Sequence, residues 1–569
     1  MAIQAAQKNQ KSMEETLWDS ANKLRGTVES SEYKHVVLGL IFLKFASDTF
    51  AQRREELIAE GKEKYLEMAA FYNMKNVFFL APESRWNHVI DNAKQDNIAL
   101  IVDTALHTIE KNNPSLKGAL PDNYFSRLNL DPSKLAALLD TINNIDTVGD
   151  AEEDVVGRIY EYFLGRFAAA EGKGGGEFYT PKCIVNLIAE MLEPYKGKIY
   201  DPACGSGGMF VQSIDFVKSH QGNTKDISIY GQEYTAVTYK LAKMNLAIRG
   251  ISANLGDVPA DTFFKDQHPD LKADYIMANP PFNQSQWREK NELEADSRWS
   301  GFTTPPAGNA NYAWILHMLS KLSENGTAGF VLANGSMSSN TSGEGEIRQQ
   351  LVDKDMVDCM IALPGQLFYT TQIPVCLWFI TKNKASTSSA TGNIFRDRRG
   401  ETLFIDARQL GSMIDRTQKE LTKEDISYIA NTYHTWRNSS DVRLSEVEAP
   451  LDSAQPDNVI APARSGGSDE GAKQSQSLDG TDCRAALAMT EAYEDIPGYC
   501  KSATLAEIQA NDYVLTPGRY VGVAEEEDDG IHFEDKMTEL TAKLKDQMAQ
   551  AEELDQAIRE NLKVLGYNI

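Results

Sequence analysis

The stretch Lys198-Ile199-Tyr200-Asp201-Pro202-Ala203-Cys204-Gly205-Ser206-Gly207-Gly208 decides how the fold is read. Residues 198–200 make a short strand, and an acidic residue closes it. Gly205, Gly207 and Gly208 then let the backbone turn tightly and approach a ligand closely. A helix is expected from about Met209. The carboxylate of Asp201 at the strand end can accept hydrogen bonds from a cationic or hydroxylated ligand. No Gly-Lys-Ser/Thr follows, so the turn is not a P-loop, and it contains no strict GxGxxG. Taken singly, it marks only one of many nucleotide-type folds.

Outward from this turn, short apolar runs alternate with helical stretches from about residue 150 onward. Strands are expected at 227–230, 273–277, 327–333, 357–363 and 375–381, with helices at 237–248 and 311–322. Such alternation argues for a mainly parallel, doubly wound sheet, whose ligands bind at the carboxyl ends of the strands. Before residue 150 no β-rich run occurs. Trp18, Ala21, Asn22 and Leu24 open an amphipathic pattern, and Val36, Val37, Leu40, Ile41, Leu43 and Phe45 continue it at roughly helical spacing. Pro114, Pro121 and Pro132 break later helices.

Residues 451–480 are rich in Ser, Gly, Asp and Gln and read as a flexible insertion. Glu525, Glu526, Glu527, Asp528 and Asp529 form a solvated acidic run. Met537, Leu540, Leu544, Met548, Ala551, Leu554, Ile558, Leu562 and Leu565 then recur every three or four residues, as in a long coiled-coil-type helix. Such a helix either folds back or pairs with a partner. The expected architecture is α/β. An all-helical domain (1–150) precedes a doubly wound, Rossmann-like sheet (151–450). An insertion (451–490) and a C-terminal segment with a long helix (491–569) follow.

The chain has 569 residues, too long for one ordinary domain at roughly 150 residues each. An apolar share of 42% and an aromatic share of 9% suit sizeable cores and exclude a mostly disordered or fibrous chain. Against 57 Lys and Arg stand 82 Asp and Glu, a formal charge of −25. Phosphate contacts need Lys and Arg, so such a chain holds a polyanion poorly unaided. If it acts on nucleic acid, a local basic face or a partner must supply the attraction. The six cysteines form no CxxC pair and fit neither zinc spacing nor a disulfide framework, which suits free thiols in a reducing compartment. The first residues lack the apolar core of a signal peptide. The longest apolar run, near 36–43, is far short of the ~20 residues a membrane span needs. A soluble, cytoplasmic protein without a membrane contact is expected.

Two further signals carry chemistry. Glu233 ends the strand at 227–232. An acid about 30 positions after a glycine loop suits a ribose diol, whose two hydroxyls both donate to one carboxylate; a lone surface Glu is the alternative. Asn279-Pro280-Pro281-Phe282 follows the strand at 273–277. The prolines stiffen the backbone and remove two donors. The Asn279 side-chain oxygen and the Pro280 carbonyl can then act as paired acceptors beside the flat face of Phe282. That set suits a planar ring bearing an exocyclic amino group, although a rigid turn ending a strand would look similar.

Asp201 to Gly208 followed by Asn279 to Phe282 resembles the amino-methyltransferases that use S-adenosylmethionine to modify N6 of adenine or N4 of cytosine in DNA. Gly175-Gly176-Glu177-Phe178-Tyr179-Thr180-Pro181 is similar to the upstream cofactor element of the methylation subunit of Type I restriction-modification systems. The order of the three motifs is the order of that class. The likeness extends to Trp18, Asn22, Leu24 and Arg25, to Asn311-Tyr312-Ala313-Trp314, and to Leu363-Pro364 and Phe368. Leu403 to Arg408, Tyr433 to Arg437 and Pro517 to Val521 also share it. It covers nearly the whole chain apart from the insertion.

The resemblance implies a site-specific, adenine-N6 DNA methyltransferase. Asn279, Pro280 and Phe282 would receive a flipped-out adenine. Asp201, Gly205, Ser206, Gly207 and Gly208 would hold the methionine end of S-adenosylmethionine, Glu233 the ribose and Asp261 the cofactor adenine, with Asp257 as the competing acid. Glu177, Phe178, Tyr179, Thr180, Pro181 and Lys182 would close over the methionine end, although Phe178 and Tyr179 can equally be core aromatics. No metal is implied. The implied partners are a specificity subunit that chooses the site in double-stranded DNA, two copies of this chain around it, and restriction subunits that complete a nuclease. Two rival readings are an idle assembly subunit and a protein-glutamine methyltransferase.

Overall fold

The computed structural model describes residues 17–19, 22, 30–148, 159–160, 162–163, 180–368, 373–385, 395–414, 418–438, 493–523 and 533–564. Ala21, Leu24, Arg25, the motif residues 175–179, Cys483, the insertion at 451–490, the acidic run 525–529 and Leu565 lie outside the described residues. The chain divides into two compact units, Met1–Gly522 and Val523–Ile569.

The first unit begins with helices. They include α1 (Ser30–Ala59), α2 (Ile98–Asn112) and α3 (Pro132–Asn143). On α2 the buried Ile98, Val102, Ala105, Leu106 and Ile109 form one apolar stripe. Helix α3 starts where Pro132 needs no N–H partner and where the Asp131 carboxylate accepts from Ser133 N at 2.8 Å. These helices share a core that also takes in Leu241, Met244 and Ile248. Those three residues lie on α6 (Ala236–Ile248), between two strands of the sheet.

The strands are β1 (Gly197–Asp201), β2 (Ile227–Gly231), β3 (Ala253–Asn254), β4 (Ala273–Ala278), β5 (Leu322–Ala333), β6 (Val357–Ala362), β7 (Val375–Thr381) and β8 (Glu401–Asp406). A small hairpin, β9 (Ser412–Met413) with β10 (Lys419–Glu420), follows, and β11 (Cys500–Thr504) closes the sheet. The nine-stranded order is β11-β8-β6-β7-β5-β4-β1-β2-β3. Strands β3, β2, β1, β4 and β5 run parallel, as do β6 and β8. Strand β7 runs against both β5 and β6, and β11 against β8. The expectation of a mainly parallel sheet therefore holds with a mixed far half. All seven residues of β7 are buried, the continuous apolar run expected of a strand covered on both faces.

Helices cover both faces, which makes the sheet doubly wound. On one side α4 (Lys182–Leu192), α5 (Gly208–Ser219) and α9 (Lys423–Arg437) pack with Ile199, Met277, Val331 and Leu377. On the other, α7 (Asn311–Lys321) and α8 (Glu344–Asp353) pack with Tyr200, Ile276, Phe330 and Trp378. Helix α4 comes close to β5 because position 329 is a glycine. A Cβ there would meet Ile188 Cγ2 at 3.2 Å and Phe379 Cε1 at 2.7 Å. Cys183, Cys204, Cys359, Cys376 and Cys500 are free and buried.

The second unit contains α10 (Phe533–Val564), a helix of 32 residues. Met537, Leu540, Leu544, Met548, Leu554 and Ile558 are all exposed along it. No described helix is long and apolar enough to cross a membrane.

Candidate functional site

The parallel strands β1, β2, β4 and β5 end on one edge of the sheet, and the sheet order reverses between β1 and β4, the place where such sheets bind ligands. Asp201 is the last residue of β1. Glu233 lies two residues past β2, and Asn279 one past β4. Tyr200 pairs with Ile276, so the ends of β1 and β4 lie side by side.

The glycine turn is held from several directions. Cys204 N donates to Gln232 O at 2.9 Å and Gln232 N to Asp201 O at 3.0 Å, which continues the β1–β2 pairing past both strand ends. Ala203 N donates to Asp201 Oδ1 at 2.9 Å, and Asn245 Nδ2 on α6 to Ser206 O at 2.8 Å. Gly205 (φ 53°) and Gly207 (φ 83°) both take the left-handed conformation that glycine adopts without strain. Gly207 is the residue from which α5 starts, with Gly208 as its first member. A Cβ at Gly205 or Gly208 would meet nothing within 4 Å among the described residues. Those two glycines therefore face open space among the described residues, a cradle of the kind a close-fitting cofactor needs, while Gly207 packs toward Leu246.

Glu233 sits across this cradle. Its Oε2 accepts from Gly205 N at 3.1 Å and its Oε1 from Thr235 N at 2.8 Å. The carboxylate thus ties the loop after β2 to the loop after β1. Asp201 is 1% exposed, and that burial pushes its carboxyl up to about 8; the Ala203 N–H opposes the shift, and the charge of Glu233 adds to it. A carboxyl raised in this way is one that a cationic ligand group would draw back into its charged form.

The turn carrying Asp261 reaches the same cradle. Thr262 Oγ1 donates to Pro202 O at 2.6 Å, and Ala260 N to Glu233 O at 2.9 Å. Asp261 Oδ1 caps its own turn by accepting from Phe263 N at 2.7 Å. Asp257, the competing acid, is exposed. Arg298 braces the turn from behind, donating to Phe263 O at 2.6 Å and Thr262 O at 3.2 Å while paired with Asp296. Burial, with Arg298 beside it, pushes the His317 imidazole down to about 3, so it stays neutral and accepts from Arg298 on one nitrogen.

Asn279 Nδ2 donates to Thr180 Oγ1 at 2.8 Å. Asn279 Oδ1 is buried and has no hydrogen-bond partner among the described residues. Pro280 is buried beside it. The Phe282 ring, half-buried, meets Phe368 edge to face at 5.7 Å. Pro181 caps α4, and Lys182 is exposed in its first turn.

The structure thus brings Asp201, Gly205, Ser206, Gly207, Gly208, Glu233 and the Asp261 turn around one cradle, and Thr180 against Asn279. Sequence reasoning missed the residues that shape it. Gln232 is fully buried; its side chain donates to Ala260 O and Lys265 O and accepts from Gln267 N. A polar residue at the end of an apolar strand was the available signal. Asn245 and Arg298 left none, because their carbonyl partners are distant in sequence. Phe368 was noted only as a shared feature.

Sheet order and site together define an α/β methyltransferase fold. A sequence profile of the N-6 DNA methylase family matches residues 151–529, and one of the HsdM N-terminal domain matches 13–142. The chain is 46% identical to the Type I restriction enzyme HindI methylase subunit of Haemophilus influenzae over 83% of its own length and 94% of that protein's. It is 37% identical to the MjaIX methylase subunit of Methanocaldococcus jannaschii over 97% and 91%. Its fold matches the crystal structure of a Type I methyltransferase subunit from Streptococcus thermophilus, with a TM-score of 0.66 at 22% identity over 90% and 99% of the two chains. The chain belongs to the N6 DNA methylase family, among the methylation subunits of Type I restriction-modification systems.

Proposed function

We propose that this chain transfers a methyl group from S-adenosylmethionine to N6 of an adenine in double-stranded DNA. A separate specificity subunit chooses the site, two copies of this chain assemble around it, and restriction subunits complete the nuclease. The observation that carries the reading is the buried Oδ1 of Asn279, without a partner among the described residues, at the end of β4 beside the glycine cradle. A buried acceptor without a donor is costly, and an amino group entering the site would satisfy it.

The cradle fits the cofactor. Open space over Gly205 and Gly208 leaves room for it. Asp201 and the loop N–H groups would hold the methionine end, Glu233 the ribose hydroxyls, and the Asp261 turn the adenine, flanked by the exposed Tyr234 and Phe264. When bound, S-adenosylmethionine supplies an electrophilic methyl on its sulfonium.

The target adenine must leave the duplex, because its N6 is paired there. Phe282, backed by Phe368, would stack on the extruded base. Asn279 Oδ1 and the Pro280 carbonyl would each accept an N6 hydrogen, which leaves the nitrogen lone pair free to face the methyl. The site chiefly orients two reactants, and N6 can lose its extra proton after transfer, so no general base is assigned.

Nucleoside analysis of duplex DNA after labelled methyl transfer by the chain–specificity complex tests this. N6-methyladenine is the expected product, and Asn279→Ala should lower the rate at least a thousandfold with the cofactor still bound. N4-methylcytosine, or unchanged transfer by Asn279→Ala, would overturn it.

A further inference from the structure

We propose that Thr180 is a positioning residue that fixes the carboxamide of Asn279. The inference rests on the methyl-transfer reading and deepens it. The two ends of that amide differ. Nδ2 donates to Thr180 Oγ1 at 2.8 Å. Oδ1 is buried with no partner among the described residues. An amide turned by half a revolution would present N–H groups where the target amine brings its own, and donor would face donor. Transfer therefore needs the orientation in which nitrogen points to Thr180 and oxygen into the site.

Thr180 is well placed to anchor it, because its hydroxyl accepts from Nδ2 and holds the carboxamide in the rotamer that turns Oδ1 the other way. Pro181 follows directly and caps α4; its carbonyl accepts from Ile184 N at 3.0 Å and Val185 N at 3.2 Å. Along α4 the buried Ile184, Leu187 and Ile188 pack in one core with Met277 of β4 and Val331 of β5. Gly329 lets Ile188 sit tightly on β5. Thr180 thus directly precedes the cap of a helix packed in one core with β4, the strand that delivers Asn279, and with its neighbour β5. Side chains held by such packing keep the precision that near-attack geometry demands. Thr180 belongs to the motif that the sequence resemblance assigns to the cofactor, yet its contact is with the target-base residue. That segment would set the geometry of the acceptor as well as enclose the cofactor.

Thr180→Val keeps the side-chain shape and removes the hydroxyl, while Thr180→Ser keeps the hydroxyl. Thr180→Ala, which cannot crowd the site, guards against misfolding of the valine variant. Two readouts separate positioning from cofactor contact: the cofactor Kd of the purified chain by calorimetry, and the single-turnover methyl-transfer rate of the chain–specificity complex at saturating cofactor. Thr180→Val and Thr180→Ala are expected to lower the saturated rate roughly ten- to hundredfold, with Kd within about twofold of wild type and Thr180→Ser close to wild type in both. A tenfold weaker Kd with an unchanged saturated rate would make Thr180 a cofactor contact and overturn the inference, as would an unchanged rate in both hydroxyl-less variants. A wild-type complex that binds cofactor but methylates no DNA would instead sink the methyl-transfer reading on which the inference stands.

Discussion

Asp201 stands under two opposed demands. Its carboxyl is buried at the end of β1 and pushed up to about 8 from an ordinary 3.8. In the folded chain without ligand, charging it therefore costs stability. That cost is absent below about pH 4, grows through neutrality and is complete above about pH 8. A cationic ligand group beside it reverses the preference. Asp201→Asn should thus raise the unfolding temperature of the cofactor-free chain at pH 8 while leaving it unchanged at pH 4, and should weaken cofactor binding. For the wild type, cofactor affinity should rise with pH up to about 8, with at most one proton released per site, whereas the asparagine variant should show no such dependence. Calorimetry in buffers of different ionisation enthalpy measures the proton release; none at pH 7 would remove Asp201 from the cofactor site. At this scale the sequence was most readable where several rare residues fall together, as in Asp201 to Gly208 and Asn279 to Phe282. It was silent on Gln232, Asn245 and Arg298, whose roles come from main-chain carbonyls that only the fold brings near.

Among the elements, β1, β2, β4, β6 and β7 and helices α6 and α7 were all visible as apolar runs or helical periodicity. Strand direction was not. Residues 375–381 read equally well as a parallel or an antiparallel strand, because burial on both faces removes the alternation that would tell them apart. Strands β3, β8 and β11 escaped as well: β3 has two residues, and β11 pairs with β8 from nearly a hundred positions away. The seat of α4 was equally hidden, since nothing near Gly329 in sequence announces Ile188 and Phe379 as its neighbours. Gly329→Ala should lower stability by about 1–3 kcal/mol through overpacking, read as a lower unfolding temperature. It should also slow methyl transfer by displacing the helix that follows Thr180. Unchanged stability and rate would mean that α4 tolerates a shift on β5.

For the whole molecule, the charge of −25 frames how it can meet DNA. An acidic chain that acts on a polyanion needs a local basic face or a partner to bring the two together, and we propose that a partner docks on α10, where Met537, Leu540, Leu544, Met548, Leu554 and Ile558 stand exposed at coiled-coil-like spacing. Truncation after Asp535 should abolish or strongly weaken co-purification with the specificity subunit and leave the cofactor Kd of the chain within about twofold; loss of cofactor binding as well would make the helix part of the catalytic fold. The sequence pattern alone disclosed this helix, and it reads equally as a helix that folds back or one that pairs with a partner. The central claim, amino-directed DNA methylation by Asn279, is tested most directly by base-modification sequencing of genomic DNA from cells carrying the complete system with either the wild-type chain or Asn279→Ala. N6-methyladenine at a split, two-part site that vanishes with Asn279→Ala is the predicted result. Identical marks in the two genomes would contradict the account and leave the chain an idle scaffold or an enzyme for another substrate.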